Sequence, residues 1–280
     1  MNSPPKGRNL VGIVPLSGPK KSFGMPWPDY LQPLSPDYTL VERSVYECAL
    51  AGCDSIWIVC NDDVAPLVRK RIGDYILDPA IYERWNFLKN KNDHKKYIPV
   101  FYTPIDQADR FRRDSLSWSI IHGAVTAFKV SSRISSWCKP SKYFVSFPWG
   151  VYDPTVVKSN RGVIRGKESF YLSCDNKTVR DNEYLSFTFF PTDWALFKKN
   201  IKQKCSGPDK TLPFHERWSS RDFTLDKVFN SSKISIDNAI DLCHYWNVET
   251  WAGLIEYYKH DTQLSRPPKS IIKPFKFRRE

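Results

Sequence analysis

The chain has 280 residues, 41% hydrophobic and 26% charged, enough for one large or two modest units around a substantial core. Its 17 Phe, 14 Tyr and 10 Trp exclude a largely disordered chain, and its longest apolar runs, Leu10 to Leu16 and Ile56 to Cys60, fall far short of the ~20 residues a membrane-spanning helix needs. A net charge of +12 favours anionic partners: nucleotides, sugar phosphates or nucleic acid.

The first element is the run Leu10-Val11-Gly12-Ile13-Val14-Pro15-Leu16, unbroken by polar alternation as in a strand buried on both faces, and it ends in a loop at Ser17-Gly18-Pro19. From Thr39 to Gly52, Leu40, Val41, Val45, Cys48 and Ala49 recur at helical spacing, with Asp37 or Thr39 as N-cap and Gly52 at the C-terminus. A second strand follows at Ser55 to Cys60. Asp62 or Asp63 then caps a second helix through Val64, Leu67, Val68, Ile72 and Ile76.

Residues 78–97 are polar and rich in lysine and read as a surface insertion before the strand at Ile98 to Tyr102. A third helix fits Ser115 to Ile134, and a buried strand fits Tyr143 to Phe147 before the bend at Pro148-Trp149-Gly150. Beyond about residue 155 the pattern is mixed, with strands at Phe170 to Leu172 and Tyr184 to Phe190 and helices near 192–203 and 249–259. The tail from Ser265 is basic and contains three prolines, so an extended or docking arm is expected.

Alternating strands and helices define an α/β fold, a three-layer α/β/α arrangement around a mainly parallel, Rossmann-like sheet. Residues 1–264 are expected to form one unit of two halves, 9–155 and a mixed 156–264, followed by a basic tail at 265–280. The seven cysteines are odd in number and form no Cys-x-x-Cys pair, so reduced and mostly buried thiols are expected. The N-terminus MNSPPKGRN lacks the apolar core of a secretory signal, which gives a cytoplasmic expectation.

Ligands of parallel α/β sheets bind at the carboxyl ends of the strands, so the loop after the first strand is the leading site. Gly18 would let backbone approach a nucleotide, and Lys20 and Lys21 would supply charge to its phosphates. The segments Leu16-Ser17-Gly18 and Pro28-Asp29-Tyr30-Leu31-Gln32-Pro33-Leu34, the helix ending Ala51-Gly52 and the strand Ile56-Trp57-Ile58-Val59 resemble, in order and spacing, the nucleoside-triphosphate and sugar-1-phosphate nucleotidyltransferase family. Members of that family open with a strand, a glycine-rich loop, and a Pro-Lys followed by Leu-x-Pro-Val. Asp114 to Ser119, Phe147-Pro148-Trp149-Gly150, and Tyr245-Trp246-Asn247-Val248-Glu249-Thr250-Trp251 resemble three later segments, so the similarity spans residues 9–259.

The resemblance implies the nucleotidyltransferase (glycosyltransferase-A-type) fold and transfer of a nucleotidyl group from a nucleoside triphosphate to a sugar phosphate or related phosphorylated acceptor. Leu16, Ser17, Gly18, Lys20 and Lys21 would hold the nucleotide, and Ser115 would contact its base. Mg²⁺ is implied too, held by an aspartate at each of the last two segments, but here Asn247 stands at the second and Val151 follows Gly150 at the first. Asp29 occupies the place of a phosphate-binding lysine. Either the site is rebuilt around Asp153 and Glu249 as catalytic carboxylates, with Asp153 the metal ligand, or the scaffold is kept as a binding or structural protein, of a virion for example.

Other patterns carry less chemistry. The five histidines show no zinc spacing, and Asp62-Asp63 fits a helix cap better than a site. Arg110, Arg112, Arg113, the lysines from 89 to 96 and the tail would form a footprint for nucleic acid or a protein partner, with Trp85 and Phe87 as exposed aromatics. No membrane partner is expected.

Overall fold

The computed structural model describes residues 9–18, 23–84, 97–110, 115–204, 223–230, 238–260 and 269–272. The chain runs through β1 (Leu10–Pro15), β2 (Pro33–Ser35), β3 (Tyr38–Thr39), α1 (Leu40–Leu50), β4 (Ser55–Val59), α2 (Ala65–Ile72), β5 (Tyr75–Leu77), α3 (Pro79–Arg84), β6 (Tyr97–Thr103), α4 (Gln107–Arg110) and α5 (Leu116–Ile134). It continues with β7 (Lys142–Val145), β8 (Gly150–Val151), α6 (Thr155–Ser159), α7 (Arg161–Ile164), β9 (Phe170–Ser173), β10 (Phe187–Phe189), α8 (Trp194–Lys204), α9 (Leu225–Phe229), β11 (Asn238–Asp241), β12 (Trp246–Asn247), α10 (Trp251–Lys259) and α11 (Lys269–Ile272).

The central sheet has eight strands in the order β11-β9-β10-β7-β1-β4-β6-β5, so it draws on both halves of the sequence. β7, β1, β4 and β6 are mutually parallel, and β10 and β5 run antiparallel on either side of them. All six residues of β1 are buried, as its unbroken apolar run requires. The chain passes from β1 outward through β4 and β6 and then returns to the other side of β1 at β7. That reversal opens a crevice at the carboxyl ends of β1 and β7.

Every residue of α1 is buried, and a capping box closes its N-terminus, where the backbone N–H of Thr39 donates to Glu42 Oε2 at 2.8 Å. The expected Thr39 cap is therefore used, whereas Asp37 lies in the turn between β2 and β3. The second helix differs from expectation. It is capped by Val64 without a side-chain bond, so neither Asp62 nor Asp63 caps it, and it stops at Ile72 before Gly73. Ile76 shares the apolar spacing of that helix but belongs to β5, because a three-residue antiparallel strand against β6 buries it equally well.

The region read as an insertion contains α3, while residues 85–96, with Trp85, Phe87 and the lysines from 89 to 96, lie outside the described residues. The second half is mixed as expected, although only Phe187–Phe189 of the 184–190 run pairs as a strand. Its core is aromatic. Tyr143 stacks on Phe189 at 4.9 Å, Phe197 meets Phe229 edge-on at 4.9 Å, and Phe229 lies 5.1 Å from Phe187. Each such ring contributes roughly 1.5–3 kcal/mol by burial.

Part of the tail packs on its own chain, since Ile271 and Ile272 of α11 are buried and α11 contacts β5. Among the described residues six cysteines are free, of which Cys48, Cys53 and Cys60 are buried and Cys243 is exposed. No described helix is long and apolar enough to cross a membrane.

Candidate functional site

The loop leaving β1 is fixed at the crevice by backbone bonds: the N–H groups of Leu16 and Ser17 donate to Val59 O at 2.8 and 3.2 Å. Ser17 is buried, its hydroxyl donates to Asn61 Oδ1 at 3.1 Å, and its carbonyl accepts from Ser119 Oγ at 2.6 Å. Gly18 follows at φ 96°, where a Cβ would stand 2.4 Å from the carbonyl carbon of Ser115. Only glycine tolerates both the left-handed backbone and that approach.

Ser115 is itself the N-cap of α5, its Oγ accepting from Trp118 N at 3.2 Å. The β1 loop is thus seated on the N-terminus of the 19-residue α5. Leu16, Ser17, Gly18 and Ser115 come together there, while Lys20, Lys21, Arg112 and Arg113 lie outside the described residues.

Carboxylates crowd the other wall. Burial, reinforced by Asp62 and Asp63, pushes the Cys60 thiol at the end of β4 up to about 12, and burial with Cys60, Asp63 and Asp29 also raises the Tyr30 phenol. A cavity of about 590 Å³ opens beside them, lined by Asp62, Thr103, Ile105, Gln107 and His122 among others. His122 Nε2 donates to Pro104 O at 2.9 Å, and burial holds its pKa below the usual histidine range. From sequence Asp62-Asp63 fits a helix cap better than a place at the crevice, but neither residue caps α2.

The two later segments meet as a small antiparallel ribbon, with Trp246 opposite Val151 and Asn247 opposite Gly150. Gly150 is required by packing, since a Cβ there would stand 1.8 Å from Tyr184 O. A buried cluster fixes the ribbon from beneath. Arg43 Nη2 donates to Phe147 O at 2.7 Å, Ser146 Oγ donates to Glu47 Oε2 at 2.7 Å, and the hydroxyls of Tyr152 and Ser186 both bond Glu47 Oε1. Sequence reasoning overlooked Arg43 and Glu47 because charged residues at i and i+4 on a helix usually face solvent.

Register separates the two candidate carboxylates. Val248 N donates to Trp149 O at 2.9 Å, so Glu249 continues the ribbon toward Pro148, whereas Asp153 continues it past Val151 in the opposite direction. Asp153 Oδ1 accepts from Thr155 N at 3.0 Å at the start of α6, and Glu249 is bonded by the Tyr184 hydroxyl.

The donors required for a divalent cation do not fit. Val151 is aliphatic and fully buried, the Oδ1 of Asn247 accepts from Glu249 N at 3.1 Å, and the described residues contain no group of three His, Cys, Asp or Glu suited to a metal.

No family model and no curated protein matches the sequence. Solved structures do. A Bacillus anthracis protein designated a glucose-1-phosphate thymidylyltransferase, in complex with sucrose, is 9% identical and superposes with a TM-score of 0.55 over 92% of this chain and 98% of that one. The chain has the nucleotidyltransferase fold.

The same fold is shared with a UDP-glucose pyrophosphorylase complexed with UDP-glucose, 12% identical with a TM-score of 0.52 over 90% of this chain and 97% of that one. A 4-diphosphocytidyl-2C-methyl-D-erythritol synthase from Anaerococcus prevotii gives a TM-score of 0.52 at 9% identity, over 90% of this chain and 96% of that one. In this chain the β1 loop and the β8–β12 ribbon lie beyond the adjacent parallel strands β1 and β7.

Proposed function

We propose that this nucleotidyltransferase-fold protein binds a nucleoside triphosphate or nucleotide sugar in the crevice and does so without metal-assisted transfer. The observation that carries the reading is the seam between Gly18 and Ser115, which brings side-chain-free backbone to the N-terminus of a long helix, an arrangement suited to phosphate. Lys20 and Lys21 follow Gly18 in the chain and would neutralise that phosphate. Against transfer stand the divergent directions of Asp153 and Glu249 and the amide at Asn247. Nucleotidyl transfer depends on neutralising developing charge, and the described residues contain no group of three His, Cys, Asp or Glu suited to a metal that would do so.

The second reading is transfer to a phosphorylated acceptor, with Glu249 as the working carboxylate. Its half-buried position beside Asn247, bonded by Tyr184, favours that reading over one that uses Asp153. The finer substrate assignment and any use of Mg²⁺ belong to this reading.

Calorimetry and thermal shift against the ribonucleoside and deoxyribonucleoside triphosphates and UDP-glucose, each with Mg²⁺ and with EDTA, separate these readings. Binding that is equal in EDTA, is lost in Lys20→Ala with Lys21→Ala, and is accompanied by no pyrophosphate release supports binding alone. Pyrophosphate release abolished by Glu249→Gln would establish transfer, and no binding of any nucleotide would sink both.

A further inference from the structure

The C-terminus of α1 closes in a Schellman turn. Gly52 N donates to Ala49 O at 3.0 Å and Cys53 N donates to Cys48 O at 3.1 Å, with Gly52 at φ 82° reversing the chain. Such a turn sets the side chains of its first and last residues against each other, most often as an apolar contact. Here both are cysteines. Cys48 and Cys53 are 0% and 3% exposed, both are free, and their thiols are hydrogen-bonded to each other. They share a notch in β1, because a Cβ on Gly12 would stand 3.0 Å from Cys48 Sγ and 3.2 Å from Cys53 Sγ, and bare backbone leaves that room to the two sulfurs.

Both flanks of the turn are tied down. Asp54 N donates to Leu10 O at 2.6 Å and Asp54 Oδ2 accepts from Leu10 N at 2.9 Å, which holds the residue after Cys53 to β1. On the other side the Arg165 guanidinium donates to Gly52 O and, at 3.4 Å, to Asp54 Oδ2, and a Cβ on Gly52 would meet Arg161 Nε at 2.5 Å. Arg161 and Arg165, at the two ends of α7, therefore cover the turn. The interior beneath them keeps Cys48 protonated, since burial raises its thiol pKa well above the ordinary value. A protonated, buried thiol is inert, so reaction of the pair needs the turn to open and an oxidant small enough to enter.

We propose that Cys48 and Cys53 form a redox-sensitive dithiol, closed to a disulfide by hydrogen peroxide when the last turn of α1 opens. Cys53, which lies in the turn itself, reacts first. Its thiolate sulfur bonds one peroxide oxygen, the O–O bond breaks, hydroxide leaves, and the sulfur is oxidised to a sulfenic acid. The Cys48 sulfur then attacks that sulfur as its own proton is lost, the S–O bond breaks and the disulfide forms. Both peroxide oxygens leave as water with the two thiol protons, so two thiols are oxidised as one peroxide is reduced. The product fastens the end of α1 to the entry of β4, and a reducing dithiol releases it. The pair lies outside the nucleotide reading and does not depend on it.

Hydrogen peroxide added to the full chain, followed by N-ethylmaleimide in denaturant, tryptic digestion and mass spectrometry, tests the proposal. One peptide, residues 44–69, carries Cys48, Cys53 and Cys60. The expected result is a loss of about 2 Da confined to Cys48 and Cys53, which escape alkylation while Cys60 is alkylated, and recovery of both thiols with dithiothreitol. Arg165→Gln leaves both cysteines in place and is expected to speed closure several-fold by uncovering the turn. Alkylation of all three cysteines in a chain whose exposed Cys243 has been oxidised overturns the proposal. So does a disulfide to Cys60, or a sulfinic acid on Cys48 or Cys53 in place of the disulfide. A closure rate unchanged by Arg165→Gln, in a variant that circular dichroism shows to be folded, overturns the opening step.

Discussion

Arg43 and Glu47 lie one turn apart on α1 and form a 3.1 Å ion pair with neither side chain exposed to solvent. Burial opposes the charge on Arg43, but Glu47 and the Tyr152 hydroxyl outweigh it and hold the guanidinium pKa above its usual value. Because the pair also anchors Phe147, Ser146, Tyr152 and Ser186, it joins the first crossover helix to the ribbon of the crevice.

Removing one partner strands the other charge in the core. Glu47→Leu and Arg43→Met are each expected to cost ~3–5 kcal/mol in urea unfolding. Arg43→Met combined with Glu47→Leu should cost well below the sum of the two single losses, because no uncompensated charge remains. Additive losses would show that the pair is not coupled.

Glycine positions divide by what surrounds them. Gly18→Ala places a Cβ 2.4 Å from backbone at φ 96°, whereas Gly24→Ala at φ 63° meets nothing within 4 Å. The first variant is expected to lose more than ~2 kcal/mol and the second about 1 kcal/mol. Thermal denaturation of the pair measures the contact separately from the dihedral strain.

Acid should weaken the fold partly through His122. Its folded pKa is depressed, chiefly by burial, so its contribution is present above the unfolded value near 6.5 and is lost as pH falls below it, while the unfolded chain takes up the proton. Urea midpoints measured from pH 7 to pH 5 should decline, and His122→Gln should flatten that decline by less than ~1.4 kcal/mol per pH unit. Alkali acts through raised groups with the opposite sign. Cys60 stays protonated in the fold up to about 12, so stability falls as pH rises above 9.0, where the unfolded thiol ionises.

Arg161 joins α7 to the residue preceding α3 through a two-pronged pair with Asp78, at 3.2 and 3.0 Å. Lysine keeps the charge but cannot match the fork. Arg161→Lys is expected to cost about 1 kcal/mol in urea unfolding, and a neutral result would mark the pair as screened by solvent.

The sequence by itself determined the elements whose burial leaves a local period. β1 is a continuous apolar run, β4 and β7 are apolar after Ser55 and Lys142, and α1 and α5 repeat apolar residues at helical spacing over several turns, so the α/β architecture followed from the order of residues alone. β11, whose sequence Asn-Ala-Ile-Asp carries no strong strand signal, forms because β9 offers it a parallel partner, and the two-residue strands β8 and β12 exist only as each other's partner. Only the tertiary structure decided that Gly18 meets Ser115, that Glu47 is buried and paired, and that Asp153 and Glu249 diverge. Periodicity reports how an element faces its core, but register and close approach are properties of two segments at once, fixed by hydrogen bonding and packing between residues far apart in the chain.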